Sequence, residues 1–176
     1  MSGRHIMTAA SALGLLDALR QVEVEPCVGG GWAVDALLGE QTREHSDLDL
    51  WLQAVDLDRL IRVVVQRGVD RLLPWGGDRP WNFVLHDGSQ LRVDLHLYEV
   101  LPGQEMLHYG GISTGVTFPA EALAGTGRIA GRQVSCESAP WALAWRTGYA
   151  PRPVDLHDVG QLCRRFGFAV PEGYAE

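Results

Sequence analysis

The sequence predicts an α+β fold: a central mixed β-sheet flanked by helices, with a small helical portion at the C-terminus. Three observations carry this. Apolar periodicity runs helix, strand, helix, strand, helix, then several strands, then helices. Two alternating apolar runs flank Asp87-Gly88, the pattern of a β-hairpin. From residue 137 onward the chain reads only as helix and linker. At 176 residues it suits one domain burying about two-thirds of its unfolded surface. We divide it into a core over residues 1–136 and a C-terminal helical extension over 137–176 that packs on the core.

From Thr8 to Val22, Ala12, Leu13, Leu15, Leu16 and Leu19 recur at helical spacing. Asp17 and Arg20 interrupt the apolar run, so the segment reads as an amphipathic helix and not as a signal peptide. "EPCVGGG" is a short strand entered at Pro26 and running into a glycine turn. "WAVDALLG" is a brief helix stopped at Gly39, and "EQTREHS" a polar loop. "DLDLWLQ" alternates as a strand does. Residues 56–67 form a second amphipathic helix ended by Gly68, and "VDRLLPW" is a further strand. After the hairpin, residues 103–118 read as a Gly-rich connector and "TGRIAGRQVSC" as a smaller hairpin. Ser138 is a candidate N-cap, with Pro140 in the first turn of the next helix; "APRP" links it to a last helix over 154–166.

Composition removes several function classes. The net charge of −7 argues against a nucleic-acid binder and suits a cationic small molecule or a divalent metal. No apolar run approaches the ~20 residues of a membrane span, and a cytoplasmic protein is expected. The three cysteines lack metal or disulfide spacing and are expected as buried thiols. All fifteen basic residues are Arg. Without Lys there is no P-loop, no Schiff base and no covalent lysine adduct. Any phosphate must be held by arginine and backbone N–H groups.

Two acids lie inside an apolar strand. In residues 45–52 one face carries His45, Asp47, Asp49 and Trp51, the other Ser46, Leu48, Leu50 and Leu52. The later strand carries Arg92, Asp94, His96 and Tyr98 on one face and Leu91, Val93, Leu95 and Leu97 on the other. Asp is a poor strand former, so three on sheet faces cost stability unless something compensates. They are either solvated or bind a cation. Asp47 and Asp49 could share a divalent ion, and Asp94 on a neighbouring strand could complete a two-metal site. Gly29, Gly30 and Gly31 open a helix 16 residues before Asp47, counted from Gly31, and could present N–H groups to a phosphate.

The string "GGGWAVDALLGEQTREHSDLDL", with a lone Asp on a later strand, resembles the DNA-polymerase-β-like nucleotidyltransferase superfamily. Within it the chain is similar to the small antibiotic nucleotidyltransferases, of the short lincosamide type and the aminoglycoside 2''-type. "LRVDLHLYE", "IAGRQVSCES", "TGY" and "DLHDV" lean towards the lincosamide type. The resemblance spans about residues 26–166 and is strongest over 29–52. Two stretches depart from it: "AWRTGY", where the lincosamide type tends to have a His before "SGY", and "LLPWGGDRPWNF". Both are candidates to line an acceptor pocket.

The resemblance implies a Mg²⁺-dependent transfer of a nucleoside monophosphate, AMP from ATP by default, to a hydroxyl of a small antibiotic. Lincosamide is the first acceptor class and aminoglycoside the alternative. It implies that Asp47 and Asp49 bind Mg²⁺ and the triphosphate, and that Asp94 binds the second of two ions and serves as general base. Gly30 and Gly31 would let the backbone approach phosphate, Arg43 would clamp it, and His45 would orient an acid or touch the nucleotide. His96 is a partner of Asp94 or an alternative base; with Trp81, Tyr98 and Glu99 it would meet the acceptor. Trp51, Trp75, Tyr109 and Asp78 are further candidates around that pocket, while Trp32 reads as a core anchor and Asp35 as a local hydrogen-bonding group. The Gly-rich connector and C-terminal helices could pair two chains as a homodimer. A non-catalytic nucleotide-binding antitoxin or regulator of the same fold is a further alternative. An HD-type phosphohydrolase, suggested by His86-Asp87, His157-Asp158 and His45, is disfavoured because His86-Asp87 falls at a hairpin turn.

Overall fold

The computed structural model describes residues 6–74 and 82–175. Its helices are α1 (Ala9–Arg20), α2 (Gly30–Leu38), α3 (Leu57–Gln66), α4 (Ala139–Ala144) and α5 (Pro153–Phe166). Its strands are β1 (Cys27–Val28), β2 (Leu48–Gln53), β3 (Arg71–Pro74), β4 (Asn82–His86), β5 (Arg92–Val100), β6 (Met106–Tyr109), β7 (Thr117–Pro119), β8 (Gly125–Ile129) and β9 (Arg132–Cys136). They form one mixed sheet in the order β3-β4-β5-β2-β1-β9-β8, with β6 added to β5 and β7 to β6. β2 runs parallel to β5 and β1 parallel to β9; the other pairings are antiparallel. The fold is α+β, as the order of periodicities predicts.

The apolar faces read from alternation form the core. Leu48, Leu50 and Leu52 of β2 and Val93 and Leu95 of β5 are all but fully buried. They belong to one cluster with Leu15, Leu16 and Leu19 of α1 and Leu60, Val63 and Val64 of α3. Each such side chain contributes about 2 kcal/mol of transfer free energy. That burial overrides the poor strand propensity of the intervening Asp49. Thr8 caps α1 by accepting from the N–H of Ser11, and α2 ends at Gly39 in the left-handed region. Gly127 allows β8 to lie against α2: a Cβ there would come within 2.3 Å of the Ala36 carbonyl oxygen. α4 and α5 reach α2 through Ala142, Leu162 and Val34. Cys27, Cys136 and Cys163 are buried free thiols, as expected.

Two expectations change. The connector over 103–118 contains β6 and β7. β6 pairs with the far end of β5, opposing Tyr98 to Tyr109 and Val100 to Leu107, and Leu107 and Phe118 are buried beside Trp51. Strands of four and three residues among Gly110, Gly111 and Gly115 are too short to show a period, and only their tertiary partners fix them. Ser138 does stand at the N-cap of α4, but its side chain makes no capping bond. Its backbone N–H instead donates to Ala122 O.

Candidate active site

Parallel pairing of β2 and β5 sets Asp49 directly opposite Asp94, and Trp51 opposite His96. With Asp47 just before β2, three carboxylates gather at the N-terminal ends of two central strands of the sheet. Their proximity changes their acidity. Burial, then the charges of Asp49 and Asp47, push the Asp94 carboxyl up to about 7. Burial and Asp49 also raise Asp47. Asp49 goes the other way: burial opposes ionisation, but the His96 hydrogen bond and the charges of Arg146 and Arg43 hold it below the usual carboxylate range.

The surplus negative charge is partly met by Arg92, whose Nε lies 3.3 Å from Asp94 and 3.5 Å from Asp47. These are ion-pair distances; Arg92 Nε and Asp94 Oδ1 are both buried without a hydrogen bond. His96 Nε2 lies 3.2 Å from Asp49 Oδ1, and its Nδ1 lies 2.8 Å from the Tyr109 hydroxyl, which donates to Asn82 Oδ1. Among the described residues, no three Asp, Glu, His or Cys side chains converge tightly enough to hold one ion as they stand. The donor chemistry nonetheless fits a hard divalent cation: carboxylate oxygens, mutual repulsion, and one buried oxygen without a hydrogen bond. Displacement of Arg92 from Asp47 and Asp94 would open the full set.

The glycines do more than present N–H groups. Gly30 sits at the start of α2 with φ +57°, and a Cβ on it would lie 1.9 Å from Asp49 Oδ2. A Cβ on Gly31 would lie 2.1 Å from an Arg43 guanidinium nitrogen and 2.7 Å from His45 Nδ1. Only glycine lets the acid, the arginine and the histidine close over the helix start. The first-turn N–H groups of α2 have no partner within the helix, which makes this the place where an anion is best received.

Arg43 is not a free surface side chain. Its Nε and Nη2 fork onto Asp158 of α5 at 2.8 and 2.9 Å. His45 is buried, 2.6 Å from Asp35 Oδ2 and with its ring centroid 4.2 Å from that of Trp32. It braces α2 from behind. Asp35 also accepts from the Thr42 N–H and hydroxyl, the local role expected of it. Tyr98 is half-buried and edge-on to Phe118. Glu99 accepts from the Ile112 N–H at 3.0 Å and so fixes the loop after β6. Trp81, and with it Trp75 and Asp78, lies outside the described residues. The His-Asp pairs hold no common site: Asp87 accepts from Ser89 and Leu91 N–H in the hairpin turn, and His157 meets the Thr42 hydroxyl.

Trp51 and Tyr109, candidates for the acceptor pocket, are joined beside the acids by residues that the sequence does not single out, Phe118, Trp141 and Glu137. Trp51 is sandwiched between His96 and Trp145, at centroid distances of 4.8 and 4.6 Å. Trp141, Phe118 and Tyr109 complete an aromatic wall. Behind it lie Glu137, Arg146 and Asp158, all buried. Glu137 Oε1 accepts from Trp51 Nε1 at 2.8 Å, and Arg146 Nε meets Asp158 at 3.3 Å. A signal for this group exists in "SCESAPWALAWR": one acid and one arginine enclosed by small and aromatic residues.

Acid strands in parallel register beside a glycine-started helix define a nucleotidyltransferase, and comparison with known proteins agrees. The chain belongs to the aminoglycoside-2''-adenylyltransferase family, whose model matches residues 12–162. It is 24% identical over 148 residues to a lincosamide resistance protein of Staphylococcus haemolyticus, covering 84% of this chain and 89% of that one. Its fold is similar to that of the lincosamide antibiotic adenylyltransferase LnuA in its lincomycin-bound form: TM-score 0.76, 21% identity, 90% of this chain and 98% of the other. It is also similar to ANT(2'')-Ia in complex with adenylyl-2''-tobramycin: TM-score 0.67, 23% identity, 90% and 89% of the two chains. No helix among the described residues is long and apolar enough to cross a membrane.

Proposed function

We propose that this enzyme transfers AMP from ATP to a hydroxyl of a small antibiotic, with a lincosamide as the preferred acceptor. The observation that carries the reading is the register of Asp49 against Asp94 with Gly30 packed on the Asp49 carboxylate. Asp47, Asp49 and Asp94 are the residues that would hold the divalent metal, as two ions, which would supply charge neutralisation at the attacking and leaving oxygens. The acceptor oxygen attacks the α-phosphorus, the new P–O bond forms, the bond to the β-phosphate bridge breaks, and pyrophosphate leaves. Asp94 takes the hydroxyl proton, a role that its place opposite Asp49 in the strand register supports. Gly30 and Gly31 let the backbone come close to phosphate oxygens, which the Gly31 N–H and the Arg43 guanidinium held over it receive. Tyr98, Glu99, His96 and Trp81 are assigned to the acceptor side.

The lincosamide preference rests on the strings "LRVDLHLYE", "IAGRQVSCES", "TGY" and "DLHDV". Tyr109, Trp141 and Trp145, the partly exposed members of the aromatic cluster, would favour an acceptor with apolar substituents. The aminoglycoside alternative draws on the net charge of −7 and the acid cluster, which favour a polycation.

The test is end-point mass spectrometry with MgATP and lincomycin, clindamycin, kanamycin, gentamicin and tobramycin. Adenylylated lincosamide, abolished by Asp94→Asn, is expected. Product on an aminoglycoside alone would reverse the acceptor ranking. Nucleotide binding without product on any drug would leave the regulator reading.

A further inference from the structure

Glu137 is 4% exposed and lies just beyond β9, 88 residues after Asp49 in sequence. Its backbone N–H is anchored to Val28 O at 2.9 Å. Oε1 accepts from two places at once: the indole Nε1 of Trp51 at 2.8 Å and the Gly30 N–H at 3.4 Å. The approach is close enough that a Cβ on Gly29 would lie 2.8 Å from that oxygen. Oε2 is buried with no hydrogen bond, and the nearest cation is Arg146 Nη1 at 3.9 Å. A buried carboxylate with one oxygen unsatisfied is costly, and hydrophobic replacements of such groups are often neutral or stabilising. Its two bonds nevertheless reach both halves of the site. One holds the first turn of α2, against which the Asp49 carboxylate packs. The other fixes the Trp51 ring, which stacks on His96, the partner of Asp49.

We propose that Glu137 is a positioning residue for adenylyl transfer, a single acceptor atom that locks the glycine start of α2 and the Trp51–His96 stack in one geometry around Asp49. This rests on the reading of the site as an adenylyltransferase centre. Its function is acceptor geometry and not charge. An amide oxygen at the same place can accept both N–H groups, so Glu137→Gln preserves the lock, whereas Glu137→Ala removes it.

The experiment measures kcat for pyrophosphate release on the acceptor found active, and the Kd of MgATP by calorimetry, for the wild type and both variants. Circular dichroism checks folding. Glu137→Ala is expected to lower kcat about 10-fold or more and to weaken MgATP binding about fivefold, the scale of losses when an outer-shell orienting group is removed. Glu137→Gln is expected to stay within about threefold of wild type in both. Should Glu137→Ala fail to fold, Trp51→Phe, which removes the indole donor and keeps a ring, takes its place, with a loss in kcat expected. Folded Glu137→Ala with kcat and Kd within twofold of wild type would overturn the proposal. So would Glu137→Gln falling as far as Glu137→Ala, since charge would then be the operative property. A wild type that makes no product on any acceptor would sink the adenylyltransfer reading instead; the Kd series alone would then decide the role of Glu137 by the same comparison.

Discussion

Two groups of charge, one half-buried and one buried, lie on either side of the start of α2, and they are built on opposite principles. At the strand ends, Asp47, Asp49 and Asp94 outnumber the one guanidinium between them, and Asp94 keeps an unsatisfied oxygen. Behind α2, Glu137 and Asp158 are matched by Arg146 and Arg43, and Asp158 binds both arginines. The first group is unbalanced, which folding alone does not favour. The second is close to neutral and ties together the loop before the acids, α2 and α5. The contrast separates chemistry from construction: surplus like charge marks where a cationic ligand is to be received, and balanced charge marks how the receiving frame is held.

Substitution at the unbalanced group should produce the largest effect. Asp94→Asn keeps the shape and the Arg92 neighbourhood while removing the carboxylate proposed as the proton acceptor. Pyrophosphate release should fall by about 10³-fold, with the melting temperature equal to or above that of the wild type in metal-free buffer, because a repelled charge is gone. Equal kinetics in the two proteins would dismiss Asp94 as the base.

Gly30→Ala should come next. A methyl group at φ +57° with a carboxylate oxygen 1.9 Å away must move either α2 or Asp49. A displacement of that kind costs about 100-fold in rate. Gly39→Ala is the informative partner, since its φ is also positive but nothing lies within 4 Å of the added Cβ. It should cost about 1–2 kcal/mol of stability and leave kcat intact. If the two variants lose activity equally, backbone strain and not the crowding of Asp49 is the cause.

The balanced group should answer in stability first. Asp158→Ala leaves Arg43 and Arg146 without their shared carboxylate in a largely buried setting, at a cost of about 3 kcal/mol. For a chain of this size that lowers Tm by roughly 10 °C, read by calorimetry. kcat should fall less than in Asp94→Asn. A Tm within a degree or two of wild type would mean that solvent replaces Asp158.

How legible these two groups are in the sequence follows from where their partners lie. Asp47, Asp49 and Asp94 stand out because each interrupts a period-2 apolar strand, and the same alternation gives the core faces of β2 and β5. Alternation says nothing of which strands neighbour one another, so the Asp49–Asp94 register is visible only in the sheet. Arg43 reads locally as a phosphate clamp; its fork on Asp158 joins residues 115 positions apart. Glu137 breaks no strand alternation, since it follows the last residue of β9, and only its place as the one acid in "SCESAPWALAWR" marks it. His157-Asp158 imitates a metal motif by adjacency, but the two side chains serve different partners, Thr42 and the arginines. Hairpins and amphipathic helices were readable because their partners are near in sequence, whereas β6 and β7 take their strand character from pairing with β5.

The smallest effect, and the one that sharpens the contrast most, is the pH dependence of stability in chelated protein. Asp94 ionises near 3.8 in the unfolded chain and at about 7 in the fold. Between those values the folded protein holds a proton that the unfolded chain has released, so this group's contribution is fully present below 3.8 and is lost as pH rises through about 7. Asp47, also raised, acts in the same direction, and Asp49, lowered, in the opposite one. Asp94→Asn isolates the first: the Tm of the wild type minus that of the variant should fall by a few degrees from pH 5 to pH 8. Excess Mg²⁺ should flatten that difference, because a cation bound at the acids favours the ionised carboxylate that burial and repulsion disfavour. A difference independent of pH in chelator would mean that Arg92 alone neutralises the acids, and the surplus charge on which the contrast rests would not exist.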